Sequence, residues 1–110
     1  MSPMERTLKE LKANPDCLFA KKVEHWNPFA RKRIDLWGAD VQAIFKDKIL
    51  AIQVTSMSGN SEHVRAALAD PLVNAWVNAG GRFEVWAWRK LKLEGWQAKK
   101  TMIGPETWKE

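Results

Sequence analysis

The stretch from Ala39 to Ser56, A-D-V-Q-A-I-F-K-D-K-I-L-A-I-Q-V-T-S, does most to limit what this chain can fold into. Two apolar, β-prone runs, Val41 to Phe45 and Ile49 to Val54, flank the charged segment Lys46-Asp47-Lys48. Runs of this kind around a short polar break form a hairpin. With Asp47-Lys48 as the loop, or the four residues from Lys46 to Ile49, Asp40 stands opposite Thr55, Gln42 opposite Gln53 and Ile44 opposite Ala51. Side chains alternate between the faces of a strand, so Asp40, Gln53 and Thr55 emerge together. Directly opposed Cβ atoms lie about 5 Å apart. One carboxylate and two neutral oxygen-bearing side chains therefore converge at the open end of the hairpin. A three-residue loop would break that convergence.

Around the hairpin the chain reads as helix, strand, hairpin, helices, strand and strand. Ser2 caps the first helix, Pro3 suits its first turn and Glu5 completes a capping box. Met4, Leu8 and Leu11 recur at helical spacing until Asn14-Pro15 ends the element. Leu18 to Trp26 reads as one strand, and the charged run from Phe29 to Gly38 as an ordered loop. After the hairpin, Asn60 is a candidate helix cap, with Val64, Ala67 and Leu68 on one stripe. Asp70-Pro71 then reads as the cap and first residue of a second helix, with Leu72, Ala75, Trp76 and Ala79 on one face and Gly80-Gly81 at its end. Arg82 to Leu91 alternates as a strand, and Trp96 to Ile103 makes the last one. The expected fold is a single mixed α/β domain over residues 1–110, a central sheet flanked by helices in the order α-β-β-β-α-β-β.

Composition excludes several classes. At 110 residues the chain suits one domain with a moderate core. A single cysteine, Cys17, rules out an intrachain disulfide and a cysteine-rich zinc site, and is most simply a small buried residue. No run of eighteen apolar residues occurs and the first residues lack a signal-peptide core, so a soluble cytoplasmic protein without a membrane is expected. The net charge of +5 fits a nucleic acid or another anionic partner, and equally fits ordinary solubility.

A hard divalent cation, Mg²⁺ or Mn²⁺, needs only one or two carboxylates plus waters and a substrate phosphate. Asp40 offers the carboxylate, Gln53 an amide oxygen and Val54 a backbone carbonyl; the plain alternative is a polar sheet end with no metal. Asp40, followed thirteen residues later by Gln53-Val54-Thr55-Ser56, resembles the core of the PD-(D/E)XK nuclease superfamily, closest to its Holliday-junction resolvase-like branch and small phage-encoded members. The likeness extends over most of the chain. It implies a restriction-endonuclease-like core and a Mg²⁺- or Mn²⁺-dependent endonuclease acting on DNA, often as a symmetric homodimer in a bacterial cytoplasm. It also implies Asp40, Gln53 and Thr55 as catalytic positions, with Asp40, Gln53 and the Val54 carbonyl as metal ligands.

Two of these positions depart from the pattern. Gln53 replaces an acidic residue and Thr55 replaces a lysine, which removes a negative and a positive charge from the site. Glu5 sits where some resolvase-like members carry a helical glutamate, although capping already explains it. Arg31, Lys32 and Arg33, with Arg65 beyond the hairpin, are candidate phosphate contacts; as a solvated basic loop they need no ligand. Asp35 among them is either an outer partner of the site or a neutralising charge. His25 and His63 lack metal-ligand spacing. Seven tryptophans can stack on bases or fill the core, and Trp86 and Trp88 share one strand face. Two other classes compete with the enzyme. One is a degenerate nuclease fold that binds DNA or acts as an assembly module; the other is a small protein-interaction module.

Overall fold

The first helix, α1 (Pro3–Ala13), begins where its capping chemistry dictates. Ser2 Oγ accepts the Glu5 N–H at 3.1 Å, and Glu5 Oε1 accepts the Ser2 N–H at 3.2 Å. The computed structural model describes residues 1–23, 25–27, 32–34 and 37–104, and of 25–27 and 32–34 the backbone only. The remaining elements are β1 (Cys17–Lys22), β2 (His25–Asn27), β3 (Lys32–Ile34), β4 (Val41–Phe45), β5 (Ile49–Ser56), α2 (Asn60–Ala69), α3 (Pro71–Asn78), β6 (Arg82–Leu91) and β7 (Gly95–Ile103).

Five strands form one mixed sheet in the order β1-β4-β5-β6-β7. β1, β4 and β5 are antiparallel neighbours, β6 runs parallel to β5, and β7 returns antiparallel to β6. A parallel neighbour requires a crossover, and α2 and α3 supply it. The chain is thus a mixed α/β structure with helices on both faces of the sheet.

Each face has its own core. On one, Leu11 of α1 packs with Val41, Ala43, Leu50, Ile52, Trp86 and Trp88. On the other, Ala67 of α2 and Val73 of α3 cover Ala51, Phe83, Val85 and Ile103. β6 is therefore buried on both sides, as a central strand with helices above and below must be. The one charge within its buried stretch, Glu84, takes the Trp86 indole at 2.8 Å and the Arg82 guanidinium at 2.7 Å. Hydrogen bonding thus compensates its burial.

Four expectations need correction. The segment 18–26 is not one strand. β1 stops at Lys22, and β2 belongs to a separate two-stranded sheet with β3, inside the stretch read as loop. The hairpin register is displaced by two residues: Gln42 faces Ala51 and Ile44 faces Ile49. The reason is the turn, in which the Phe45 N–H donates to Lys48 C=O at 2.8 Å and leaves Lys46-Asp47 as the loop. Either register buries Val41, Ala43, Phe45, Leu50 and Ile52 on the same face, so burial could not choose between them. Asn60 is not a cap. A short 3₁₀ helix, Met57–Gly59, runs straight into α2, and Asn60 is buried. On α3 the inward stripe is Val73, Trp76 and Val77, one position away from the expected one, and Leu72 is 55% exposed. Asp70, which caps that helix by accepting the Leu72 N–H at 2.9 Å, sets its rotation.

Candidate active site

The open end of the sheet is built around Asp40, the residue just before β4. Its position is fixed on several sides. The Asp40 N–H donates to Ile52 C=O at 2.8 Å, and the Val23 N–H donates to Asp40 C=O at 2.9 Å. Ala39 beside it is buried, and Gly38 lies so close to the α3 cap that a Cβ there would meet Asp70 Oδ2 at 2.6 Å. Local sequence and the α3 cap together aim this carboxylate along the sheet end.

Among the described residues, Asp40 Oδ2 accepts hydrogen bonds from the Val54 N–H at 2.8 Å and from Gln53 Nε2 at 3.2 Å. The carboxylate thus reaches Gln53 and Val54, whereas the expected register set it against Thr55. A shift of two residues preserves side-chain parity, and the neighbourhood survived for that reason. The N–H and C=O of one strand residue point to the same edge, so the Val54 carbonyl also faces this end.

A cleft of about 580 Å³ opens here, lined by the start of α1 with Glu5, by Lys22 at the end of β1, and by Asp40, Val54 and Thr55. The volume admits a phosphodiester with its waters. Glu5 is held below the ordinary carboxylate value, first by the Ser2 backbone N–H and then by the Ser2 hydroxyl. Thr55 also lies against the turn into α2. A Cβ on Gly59 would come 2.6 Å from Thr55 Oγ1 and 3.2 Å from His63 Cδ2.

Other expected residues stand elsewhere. Arg65 is exposed and shares a separate concavity with Asn60, Val64, Leu68 and Lys99. Arg31 and Asp35 lie outside the described residues, as do the side chains of Lys32 and Arg33 on β3. Trp86 and Trp88 are core residues and cannot stack on bases. Cys17 is only half-buried. Lys22 is the residue that the sequence reading missed. A strand expected to run on to Trp26 put it mid-strand rather than at the sheet end; the signal was its place in the Lys21-Lys22 pair.

Among the described residues no three His, Cys, Asp or Glu side chains gather as a metal-binding group. The donors at Asp40 are one carboxylate and neutral oxygens, which suits a hard cation that keeps most of its waters. As arranged, Gln53 and Val54 offer N–H groups to Asp40. The fit to a cation therefore requires the Gln53 amide to turn over and present Oε1. Among the described residues no helix is long and apolar enough to cross a membrane. No family model, no curated protein and no solved structure matches this chain.

Proposed function

We propose that the chain is a metal-dependent endonuclease of the PD-(D/E)XK kind that hydrolyses DNA phosphodiester bonds. The observation that carries this reading is the contact of Asp40 with Gln53 and Val54 at the open sheet end, where Asp40, Val54 and Thr55 line a cleft. The strand order agrees with it: an antiparallel β1-β4-β5 meander, a helical crossover to parallel β6, and then β7. The sequence of elements, a helix, a strand, the core hairpin, helices and then further strands, is the one the resemblance implies.

Asp40, Gln53 Oε1 and the Val54 carbonyl would hold Mg²⁺ or Mn²⁺, which when bound polarises the phosphoryl oxygen and lowers the pKa of a water. The chain's own part is to hold the phosphate in the cleft, with the Thr55 hydroxyl as a neutral hydrogen-bond donor and acceptor at its wall. Arg31, Lys32, Arg33 and Arg65 would grip flanking phosphates. Recognition by branch or nick shape suits a protein whose basic residues meet the backbone, and a two-fold homodimer would set one site on each strand. The cytoplasm is the expected compartment.

One observation favours the second reading, a nuclease fold that binds DNA without cutting it. Asp40 Oδ2 is already engaged twice by its own chain, and positions 53 and 55 are both uncharged. The deciding experiment is cleavage of linear, nicked and branched DNA with Mg²⁺, Mn²⁺ or chelator. Cation-dependent nicking supports the enzyme. DNA binding with no nicking of any substrate rejects it in favour of the binding module.

A further inference from the structure

Phosphodiester hydrolysis builds negative charge on the phosphoryl oxygens and on the leaving oxygen, and a fixed cation beside them lowers the barrier. Thr55 brings no charge, and Arg65 lines a different concavity. Of the described side chains lining the Asp40 cleft, Lys22 is the one cation.

Its place is fixed by strand pairing. Lys22 closes β1 and faces Val41 across the ladder, one residue from Asp40. The next residue, Val23, ties the end of β1 to the Asp40 carbonyl at 2.9 Å. The Lys22 charge also reaches Glu5, where it adds a lesser push to the lowering of that carboxyl set mainly by Ser2. Among the described residues Lys22 enters no ion pair, whereas Lys46, Lys48 and Lys100 each do. A lysine on a flexible stem that lines the same cleft as Asp40, with no ion pair among the described residues, is placed to receive an anion.

We propose that Lys22 is the cation that meets the scissile phosphate, taking the place of a lysine at position 55. This rests on the nuclease reading. In the step itself, water oxygen bonds to phosphorus, the bond from phosphorus to the leaving sugar oxygen breaks, and the proton given up by water ends on that oxygen by way of solvent. Lys22 transfers nothing; it neutralises the charge that develops.

The test compares wild type, Lys22→Ala, Lys22→Arg and the double variant Lys22→Ala/Thr55→Lys. One measurement is the single-turnover cleavage rate at saturating nicked DNA. The other is the salt dependence of DNA affinity in chelator, which needs neither metal nor turnover. Lys22→Ala should slow cleavage by about 10²-fold and make the log–log salt slope shallower by about one unit. Lys22→Arg should retain most of the rate, and adding Thr55→Lys should restore part of the rate that Lys22→Ala removes. If wild type cuts and Lys22→Ala cuts as fast, the role of Lys22 is overturned and the nuclease reading stands. An unchanged salt slope in Lys22→Ala overturns it too, because no phosphate then lies against the ammonium. If wild type binds DNA and never cuts, the nuclease reading falls and takes the catalytic role of Lys22 with it.

Discussion

The indole Nε1 of Trp88 donates to Thr7 Oγ1 at 2.9 Å, a buried hydrogen bond between residues 81 positions apart. Thr7 Oγ1 in turn donates to the Pro3 carbonyl at 2.9 Å, one turn back along α1. The pair fixes how far α1 slides along β6, and so sets where the start of α1, with Glu5, stands against the Asp40 cleft. A packing contact in the core thereby positions one wall of the candidate site.

Thr7→Val should therefore destabilise the fold by about 1–3 kcal/mol, because it leaves the buried Trp88 N–H without an acceptor while nearly conserving volume. Thr7→Ser should recover most of that stability. Denaturant unfolding of the three proteins checks it; equal midpoints would mean that the bond contributes nothing.

Glu5 predicts a pH dependence with a definite sign. The Ser2 backbone N–H, then the Ser2 hydroxyl, hold its folded carboxyl below the ordinary value. A depressed folded value gives stability that is complete above the unfolded value, about 4.3 for a glutamate, and is lost as pH falls through the folded value. Glu5→Gln should thus be less stable than wild type near neutral pH, and the gap should close in acid. Melting curves from pH 7 to pH 3 report it, and a gap that widens in acid would reverse the assignment.

How much of this was legible in the sequence differs by element. Capping residues announced α1 and α3, because Ser2-Pro3-x-Glu5 and Asp70-Pro71 satisfy orphan backbone groups locally, whatever the rest of the chain does. β6 was legible from its alternation, although only the structure shows that both of its faces are covered. The hairpin register was not, since two turns bury the same five side chains and only hydrogen bonding around Lys46-Asp47 separates them. Asp40 and Gln53 still meet because the displacement is even. Lys22 was hidden because its place in the cleft depends on where β1 ends, and the Val23–Asp40 bond that ends it joins residues 17 positions apart.

Gly59→Ala tests the wall between Thr55 and α2. The backbone there, at φ −96°, accepts any residue, so the obstacle is space alone. The added methyl meets Thr55 Oγ1 at 2.6 Å. Overpacking of this kind costs about 1–3 kcal/mol. Thr55→Ala should relieve most of it, so the double variant should be more stable than the sum of the single effects. Strict additivity in a double-mutant cycle would remove Thr55 from that contact.

The basic run Arg31-Lys32-Arg33 predicts salt-dependent DNA binding. Each phosphate that gives up its basic side chain should make the log–log salt slope shallower by about one unit. A triple alanine variant should bind more weakly with a slope reduced by up to about three units. Fluorescence anisotropy across a salt series measures it, and an unchanged slope would make the run a solvated loop.

Asp40 holds the sheet end in shape and, in the proposed nuclease, a cation as well, and two substitutions divide the two. Its Oδ2 accepts the Val54 N–H and the Gln53 amide, which hold the sheet end in shape. Asp40→Asn keeps a carbonyl oxygen for the Val54 N–H and removes the charge that a divalent cation requires. Asp40→Ala removes both. Stability should therefore fall little in Asp40→Asn. It should fall by about 1 kcal/mol in Asp40→Ala, at the low end for a missing acceptor because Val54 lines an open cleft that water can enter. Cleavage should disappear in both variants, since Asp40 is the single carboxylate among the proposed ligands. DNA binding in chelator should persist or tighten, because a negative charge next to the phosphate has gone. Calorimetric Mn²⁺ titration supplies the readout that activity alone cannot: wild type should take up the cation and Asp40→Asn should not. Either variant cutting DNA at the wild-type rate would end the assignment of Asp40 to the chemistry and leave it with the sheet end alone.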